Sequence, residues 1–162
     1  MTRYGYDTVG NRVLVTDTLN RVTKTEYDTL RVNRPVTVTL NYSPSLPLNH
    51  LSVYNIRSIT GYDAAGNIVA QTDALGRVTT YVYDALNRPI TTTDPLSGAT
   101  RYTYDALGRR TVVTDAGGVA AYFVYDALGR VVEMRDALGH RTRFGYDGLL
   151  SIGLFSRALP VR

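Results

Sequence analysis

The chain of 162 residues contains no cysteine and no tryptophan, and only two histidines. Without cysteine it can form no disulfide bond, no thiolate metal site and no cysteine nucleophile. Its two imidazoles, His50 and His140, make a poor metal site, and a Ser–His–Asp arrangement would have to arise by chance from them. These absences predict a chain without catalytic activity, metal or cofactor.

Long hydrophobic runs are also absent. No stretch approaches the roughly 18 apolar residues of a membrane helix, and residues 1–7 contain no apolar signal core. The net charge of +4 is mild, and arginine recurs beside the predicted turns instead of being concentrated in one segment. We therefore expect no membrane insertion and no nucleic-acid partner. The lack of cysteine gives no indication of the compartment and is compatible with export.

Aspartate, by contrast, is abundant and periodic. Successive aspartates are separated by alternating steps of 10 and 11 residues, and only the step from Asp28 to Asp63 breaks the series. A period of 21 residues with two similar halves is typical of stacked supersecondary units, not of a globular domain built around one active site. The function must therefore be sought in the repeat itself.

Each half of the repeat predicts one turn and one strand. The segments Asp-Ala-Leu-Gly at 105–108 and 126–129 begin with a turn-capping carboxylate and end with a residue that tolerates positive φ. This pattern predicts a type I turn followed by a left-handed residue. Between turns, segments such as 78–83 alternate in the manner of strands. The sequence thus predicts an all-β, antiparallel meander of repeated β-hairpins, with tyrosines aligned into an aromatic ladder across the strands.

Two segments depart from the period. The array is predicted to span residues 1–147, with a loop insertion at about 40–57 where two prolines cannot continue a ladder. Residues 148–162 contain no aspartate and form an off-repeat C-terminal tail. The tail is interpreted either as the product of a truncated or frame-shifted gene or as a short capping segment.

The repeat units closely resemble a known motif. Tyr-Asp-Ala-Leu-Gly-Arg at 104–109 and 125–130, and Tyr-Asp-Ala-Leu-Asn-Arg at 83–88, are similar to the YD repeats of the rearrangement-hotspot (Rhs) family. That family includes bacterial polymorphic toxins, Tc-toxin shell subunits and the teneurins. The residues assigned to the structural repeat motif are Tyr6, Asp7, Gly10, Tyr62, Asp63, Gly66, Tyr83, Asp84, Tyr104, Asp105, Gly108, Arg109, Tyr125, Asp126, Gly129, Arg130, Tyr146 and Asp147.

The resemblance implies a fold and a role. In the family, such repeats form a curved open ribbon that is part of a hollow shell around a C-terminal toxin domain. The expected function is therefore that of a structural wall segment within a larger secreted or cell-surface bacterial toxin protein. The implied partners are further YD repeats and the enclosed toxin domain. The family's self-cleavage segment is not recognisable in this sequence.

Glycan binding is the alternative function. Rows of tyrosine with aspartate and arginine nearby can stack sugar faces and bond their hydroxyls, which would make the chain a glycan-binding or cell-surface adhesion module. The exposure of the rings discriminates between the two functions, because buried rings favour containment and outward-facing rings favour glycan binding. Calcium is not expected, since each turn offers one carboxylate that already caps its own turn amides.

Overall fold

The computed structural model describes residues 1–28, 34–43, 55–146 and the backbone of 152–155. The chain divides into two compact units, residues 1–81 and 82–162. Asp147, residues 44–54 of the predicted insertion and most of the predicted tail lie outside the described residues.

The first unit is an antiparallel meander in which each strand pairs with the next along the chain. Its strands are β1 (Arg3–Tyr6), β2 (Arg12–Thr16), β3 (Val22–Tyr27), β4 (Pro35–Leu40), β5 (Ile56–Tyr62), β6 (Ile68–Thr72) and β7 (Val78–Tyr83), the last of which runs two residues past the boundary.

The second unit repeats this topology. Its strands are β8 (Pro89–Thr93), β9 (Ala99–Tyr104), β10 (Arg110–Thr114), β11 (Ala120–Tyr125), β12 (Val131–Arg135), β13 (Arg141–Tyr146) and β14 (Ile152–Phe155). The described residues contain no helix, and so none that could cross a membrane. The predicted all-β, antiparallel meander of hairpins is confirmed.

Turn and strand lengths explain the alternating period. The turn at 84–88 has five residues, β8 has five and β9 has six, and this order recurs with β10 and β11. The fourth turn residue has positive φ, as in Gly108 (80°) and Asn87 (60°). Ser97 takes the same conformation, with φ 68°, one residue before Gly98. The steps of 10 and 11 are therefore one turn plus a short or a long strand.

A β-bulge follows each turn that comes after a Tyr-Asp pair, wherever the register is described. In the hairpin of β11 and β12, Tyr125 lies opposite Val131 while Val124 lies opposite Glu133, so that Val132 is the extra residue. The same shift occurs between β1 and β2, β3 and β4, β5 and β6, and β9 and β10. A bulge removes one residue from the effective length of the shorter strand.

Bulge and strand lengths together stagger the repeats. Tyr102 lies opposite Val113, which in turn lies opposite Ala121. The residue two strands across from Tyr102 is thus Ala121, whereas its repeat equivalent, Phe123, lies two residues further along β11. This offset is the difference in effective length between the two strands of a repeat. The longer strand has six residues, and the shorter has five, of which one is the unpaired bulge residue. The predicted aromatic ladder of laterally aligned rings is therefore wrong, because the bulge places equivalent rings on a diagonal.

Burial is shallow throughout. Among the described residues no hydrophobic side chain is fully buried; the buried residues are polar, namely Thr37, Thr39 and Asn55. In β11, Phe123 and Tyr125 are half-buried on one face, while Tyr122 and Val124 are exposed on the other. Each unit thus holds its strands by ladder hydrogen bonds and one half-covered ring face instead of a closed core.

The interrupted repeat between β4 and β5 closes at a polar neck. Leu40 pairs with Ile56, and the Asn55 N–H donates to the Asn41 carbonyl at 3.1 Å. The Asn55 side chain accepts from the Ser43 N–H at 2.8 Å and donates to the Ser43 carbonyl at 3.1 Å. These bonds let β4 and β5 pair in continuous register although a longer connection joins them.

The predicted off-repeat tail contributes a strand of its own. The backbone of 152–155 pairs antiparallel with β13, with Gly145 opposite Gly153. Strand pairing requires only backbone N–H and C=O groups, so the lack of a repeat motif does not prevent it.

Candidate functional site

In each unit, alternate turns lie at opposite ends of the strands and define two edges. We call the end where a Tyr-Asp pair enters the turn the YD edge; its described turns begin at Asp7, Asp63, Asp84, Asp105 and Asp126, and Asp28 follows β3 at the same end. The opposite edge has turns that begin at Asp17, Asp73, Asp94, Asp115 and Asp136, together with the neck between β4 and β5.

The turn at Asp105 shows how the leading aspartate acts. Its Oδ1 accepts from the N–H of Leu107 at 3.0 Å and from the N–H of Arg109 at 2.8 Å, while its carbonyl accepts from the N–H of Gly108 at 3.0 Å. These bonds satisfy amides that a turn leaves without ladder partners. Corresponding side-chain bonds occur at the turns of Asp7, Asp17, Asp63, Asp73, Asp84, Asp94, Asp115, Asp126 and Asp136.

At the YD edge of the second unit, the arginine after the turn connects one repeat to the next. Arg109 Nε donates to Oδ2 of its own Asp105 at 2.7 Å. Its guanidinium lies 5.0 Å from the ring centroid of Tyr125, and its NH1 donates to the Asp126 carbonyl at 3.0 Å. One side chain thus bonds its own turn and contacts the tyrosine and the turn of the following repeat. We call this set the inter-repeat contact.

The inter-repeat contact recurs with the period of the sequence. Arg88 bonds Asp84 at 2.7 Å and stacks on Tyr104 at 4.6 Å, and its NH1 donates to the Asp105 carbonyl at 3.4 Å. Arg130 bonds Asp126 at 2.8 Å and stacks on Tyr146 at 4.4 Å. In the first unit, Arg34 stacks on Tyr62 at 4.8 Å.

The tyrosine hydroxyl completes the contact at the bulge. Tyr125 Oη donates to the Arg110 carbonyl at 2.7 Å, directly before Thr111, the extra residue of β10. Equivalent bonds join Tyr27 to Arg12, Tyr62 to Pro35, Tyr104 to Pro89 and Tyr146 to Val131. Because a bulge disrupts the ladder locally, this hydroxyl supplies a donor at the point where strand pairing is weakest.

The electrostatics of the YD edge result from this geometry. The Arg109 N–H and then its guanidinium hold the pKa of Asp105 below its ordinary value, and Arg130 does the same for Asp126. The carboxylates therefore remain charged at neutral pH and pair with arginines that are themselves partly covered, since the Arg109 side chain is 28% exposed.

At three turns of the opposite edge, the side chain after the turn bonds only the aspartate of its own turn among the described residues. Arg77 pairs with Asp73 at 2.6 Å but is 61% exposed, and Arg21 pairs with Asp17 in the same way. His140 Nδ1 lies 2.7 Å from Asp136 Oδ2 in the corresponding place. Within the described part of the chain, none of these three side chains contacts a neighbouring turn. The guanidinium groups therefore distinguish the two edges more than the aspartates do.

Not every predicted motif residue takes part in the contact. Tyr6 is exposed, and the turns of Asp7 and Asp63 have Asn11 and Asn67 where arginine stands elsewhere, each donating from Nδ2 to its own aspartate at 2.9 Å. Gly10, Gly66, Gly108 and Gly129 occupy the left-handed position, whereas Tyr83 is half-buried and Asp147 is not described.

Sequence reasoning found the turn residues but missed the contact between repeats. The signal was present as a fixed spacing of 16 residues from Arg88 to Tyr104, Arg109 to Tyr125 and Arg130 to Tyr146. The carbonyl that accepts from each tyrosine lies 15 residues earlier and could not be inferred, because it depends on the bulge.

The chemistry of this site is structural. At Tyr125, a guanidinium lies over a ring face and the hydroxyl donates to a carbonyl, so both parts of the side chain make contacts within the array. No group of three or more His, Asp or Glu side chains within the described residues is placed to hold a metal ion. The fold and the repeated contact define the class of the protein, a β-hairpin repeat array with successive repeats joined through arginine and tyrosine.

Comparison with known proteins gives the family. The RHS Repeat family model matches residues 62–99, 83–120 and 125–151, which together make up just over half of the chain. The chain belongs to the RHS repeat family. No curated protein matches the chain.

Solved structures with a similar fold include a Photorhabdus luminescens Tc holotoxin pore bearing a TccC3 mutation, at TM-score 0.53 and 14% identity. A crystal structure of TcdB2-TccC3-TEV is similar at TM-score 0.52 and 14% identity. In both, 93% of this chain is covered but only 11% of the matched chain, so that the chain spans about a tenth of the length of these structures.

Proposed function

We propose that this chain is a structural wall segment of an Rhs-type β-shell that encloses a toxin domain, as part of a larger secreted bacterial protein, without catalysis or cofactor. The observation that carries the proposal is the inter-repeat contact. It uses the tyrosine, aspartate and arginine of the motif to join neighbouring repeats. Its partners are further YD repeats and the enclosed domain.

The stagger of the repeats supports a wall rather than a flat platform. An offset of two residues, about 7 Å, over two strand spacings, about 10 Å, tilts the row of equivalent positions by roughly 35°. Closed β-structures require a comparable strand tilt and shear. A long ribbon built with this register is therefore suited to winding into a closed wall.

Shallow burial supports the same role. A sheet with one half-covered ring face and no fully buried hydrophobic side chain among its described residues gains its stability from neighbours along the ribbon. Such a chain acts as a portion of a larger surface.

The test uses the longer protein that contains this segment. If the segment is part of a shell, limited proteolysis should leave the region after the repeats intact, and a variant with both Arg109→Ala and Arg130→Ala should expose it. Arg77→Ala, from the opposite edge, is the matched control and should leave protection unchanged. If the region after the repeats were cleaved as fast in the unmodified protein as when it is an isolated fragment in solution, the proposal would be contradicted.

The alternative function, glycan or cell-surface binding, has one specific observation in its favour. Tyr4 and Tyr122 are exposed, with the guanidinium of Arg12 5.6 Å from one ring and that of Arg135 4.8 Å from the other. A glycan array probed with the purified chain tests it directly. We expect no binding; a signal lost in Tyr122→Ala and kept in Tyr125→Phe would favour the adhesion function instead.

A further inference from the structure

Leucine at the third position of the turns has no role within the turn. At the turn of Asp105, the N–H of Leu107 bonds Asp105 Oδ1 at 3.0 Å, but the Leu107 side chain is 77% exposed. At the turn of Asp115, Gly117 makes the same backbone bond at 2.9 Å without any side chain. The turn therefore does not require the leucine side chain, which is left exposed at the tip.

Both edges of the second unit present these apolar tips. Leu86, Leu107 and Leu128 lie at the YD edge, and Leu96 and Leu138 lie at the opposite edge; all are at least 70% exposed. At the YD edge, each tip adjoins an aspartate already paired with its own arginine. Exposed apolar side chains that recur in a row, with neutralised charges beside them, are typical of a contact surface.

The spacing of the tips restricts the partner. At the YD edge, neighbouring tips are two strands apart across the sheet and are offset by two residues along it, which places them about 12 Å apart on a slanted row. At the opposite edge of the second unit, Leu96 and Leu138 are twice as many strands apart, because the turn between them has Gly117. A partner must offer apolar groups on a row with the same slant and the same repeat distance. The opposite edge of another YD-repeat ribbon offers such a row, because its turns follow the same repeat.

We propose that the leucine tips of the YD edge pack against the leucine tips of the opposite edge of a second YD-repeat ribbon. The inference rests on the proposed wall function, since a ribbon that winds on itself brings its YD edge against the opposite edge of the neighbouring winding. For the isolated chain, the occupant is a second copy of the chain. Contacts between unlike edges are heterologous and continue from copy to copy.

Cross-linking tests which edges meet. The chain has no cysteine, so single introduced cysteines report without background. Leu107→Cys at the YD edge and Leu138→Cys at the opposite edge are mixed in equal amounts, with a mass tag on one, and oxidised mildly. We expect the ratio of mixed dimers to like dimers to be at least about three times the value that random pairing gives. Pairing Leu107→Cys with Thr103→Cys, an exposed strand position, is the control and should give no enrichment.

The inference would be overturned by a statistical mixture of dimers, by a preference for dimers through the same edge, or by the absence of cross-links.

Sedimentation provides the second measurement. Replacing Leu86, Leu107 and Leu128 with serine should raise the concentration at which the chain associates at least tenfold, whereas serine at the exposed strand residues Val82 and Val124 should not. An equal effect of the strand variants would show that sheet faces hold the copies together.

Failure here is separate from failure of the wall function. If the isolated chain associates but its cross-links are statistical, the contact between edges is wrong, while protection in the longer protein can still support the wall function. Loss of protection in that protein, by contrast, would overturn the wall function whatever the cross-links show.

Discussion

The two edges of the ribbon are built from the same turn and differ in the contacts of the arginine that leaves it. At Asp105 and Asp73 alike, the carboxylate caps two amides and accepts a bond from the arginine four residues on. At the YD edge that arginine also contacts the next tyrosine and the next turn, whereas Arg77 ends in solvent. Turn formation and coupling between repeats are therefore separate properties with separate residues.

The comparison shows how a repeat can have the same turn at both edges and yet contact the next repeat through one edge in particular. Each edge needs its aspartate and its left-handed residue to form hairpins. Only the edge with a tyrosine before the aspartate has a ring for the preceding arginine to stack on. Stability along the ribbon should therefore depend on the YD edge, and substitutions can test this in matched pairs.

The largest effect should be equal at the two edges, because it concerns the turn itself. Gly108 at the YD edge and Gly118 at the opposite edge have φ of 80° and 82°. Valine at either position should cost more than about 1 kcal/mol, since β-branched residues are strained in the left-handed region. Urea midpoints measured by circular dichroism check this, with Ala106→Ser as the mild control. Midpoints equal to that control would refute the turn assignment.

The next effect should separate the edges. Arg109→Ala removes the stacking on Tyr125 and the bond to Asp126 and should destabilise by about 1–2 kcal/mol, in line with a partly desolvated cation–π contact. Arg77→Ala, which loses only an exposed pair, should shift the urea midpoint far less. If both variants shifted the midpoint alike, the edges would not differ in coupling.

A smaller effect should come from the hydroxyl at the bulge. Tyr125→Phe keeps the ring under Arg109 but removes the donor to the Arg110 carbonyl, which should cost about 1 kcal/mol. Tyr122→Phe is the control, because in the described part of the chain its hydroxyl makes no hydrogen bond. Hydrogen exchange near Thr111 should increase only in Tyr125→Phe. Unchanged exchange in that variant would indicate that the bulge does not need the hydroxyl.

The smallest effect concerns pH. Hydrogen bonds from Arg130 lower the folded-state pKa of Asp126, so its stabilising contribution is present above the unfolded pKa and is lost as pH falls through the folded value. Asp126→Asn should therefore be less stable than the unmodified chain at pH 7, and the difference should shrink as the pH falls through the lowered pKa of Asp126. Thermal melts at pH 7 and at a series of acidic pH values measure it. A difference that stays constant would mean that charge is not involved.

Sequence alone could predict what is local. Aspartate, glycine and asparagine at fixed places determine the turns, and alternation in segments such as 78–83 determines the strands, so the meander could be predicted directly. The stagger could not, because it depends on an unpaired residue such as Val132 that no residue type marks. The stacking of Arg109 on Tyr125 joins residues of two different repeats. Turn-forming residues determine only the local backbone, so they do not predict a contact between repeats.

The polar neck at Asn55 has a consequence for how such arrays can change. It lies at the opposite edge, where the Arg21, Arg77 and His140 side chains contact no neighbouring turn within the described residues, and there the chain accommodates a longer connection while β4 and β5 keep continuous register. An insertion inside a turn of the YD edge, for example between Asp105 and Arg109, would separate the partners of an ion pair whose arginine also contacts the next repeat. New segments, whether acquired in evolution or introduced by engineering, should therefore be tolerated best at the opposite edge, which leaves that rim free to diversify while the YD rim is preserved.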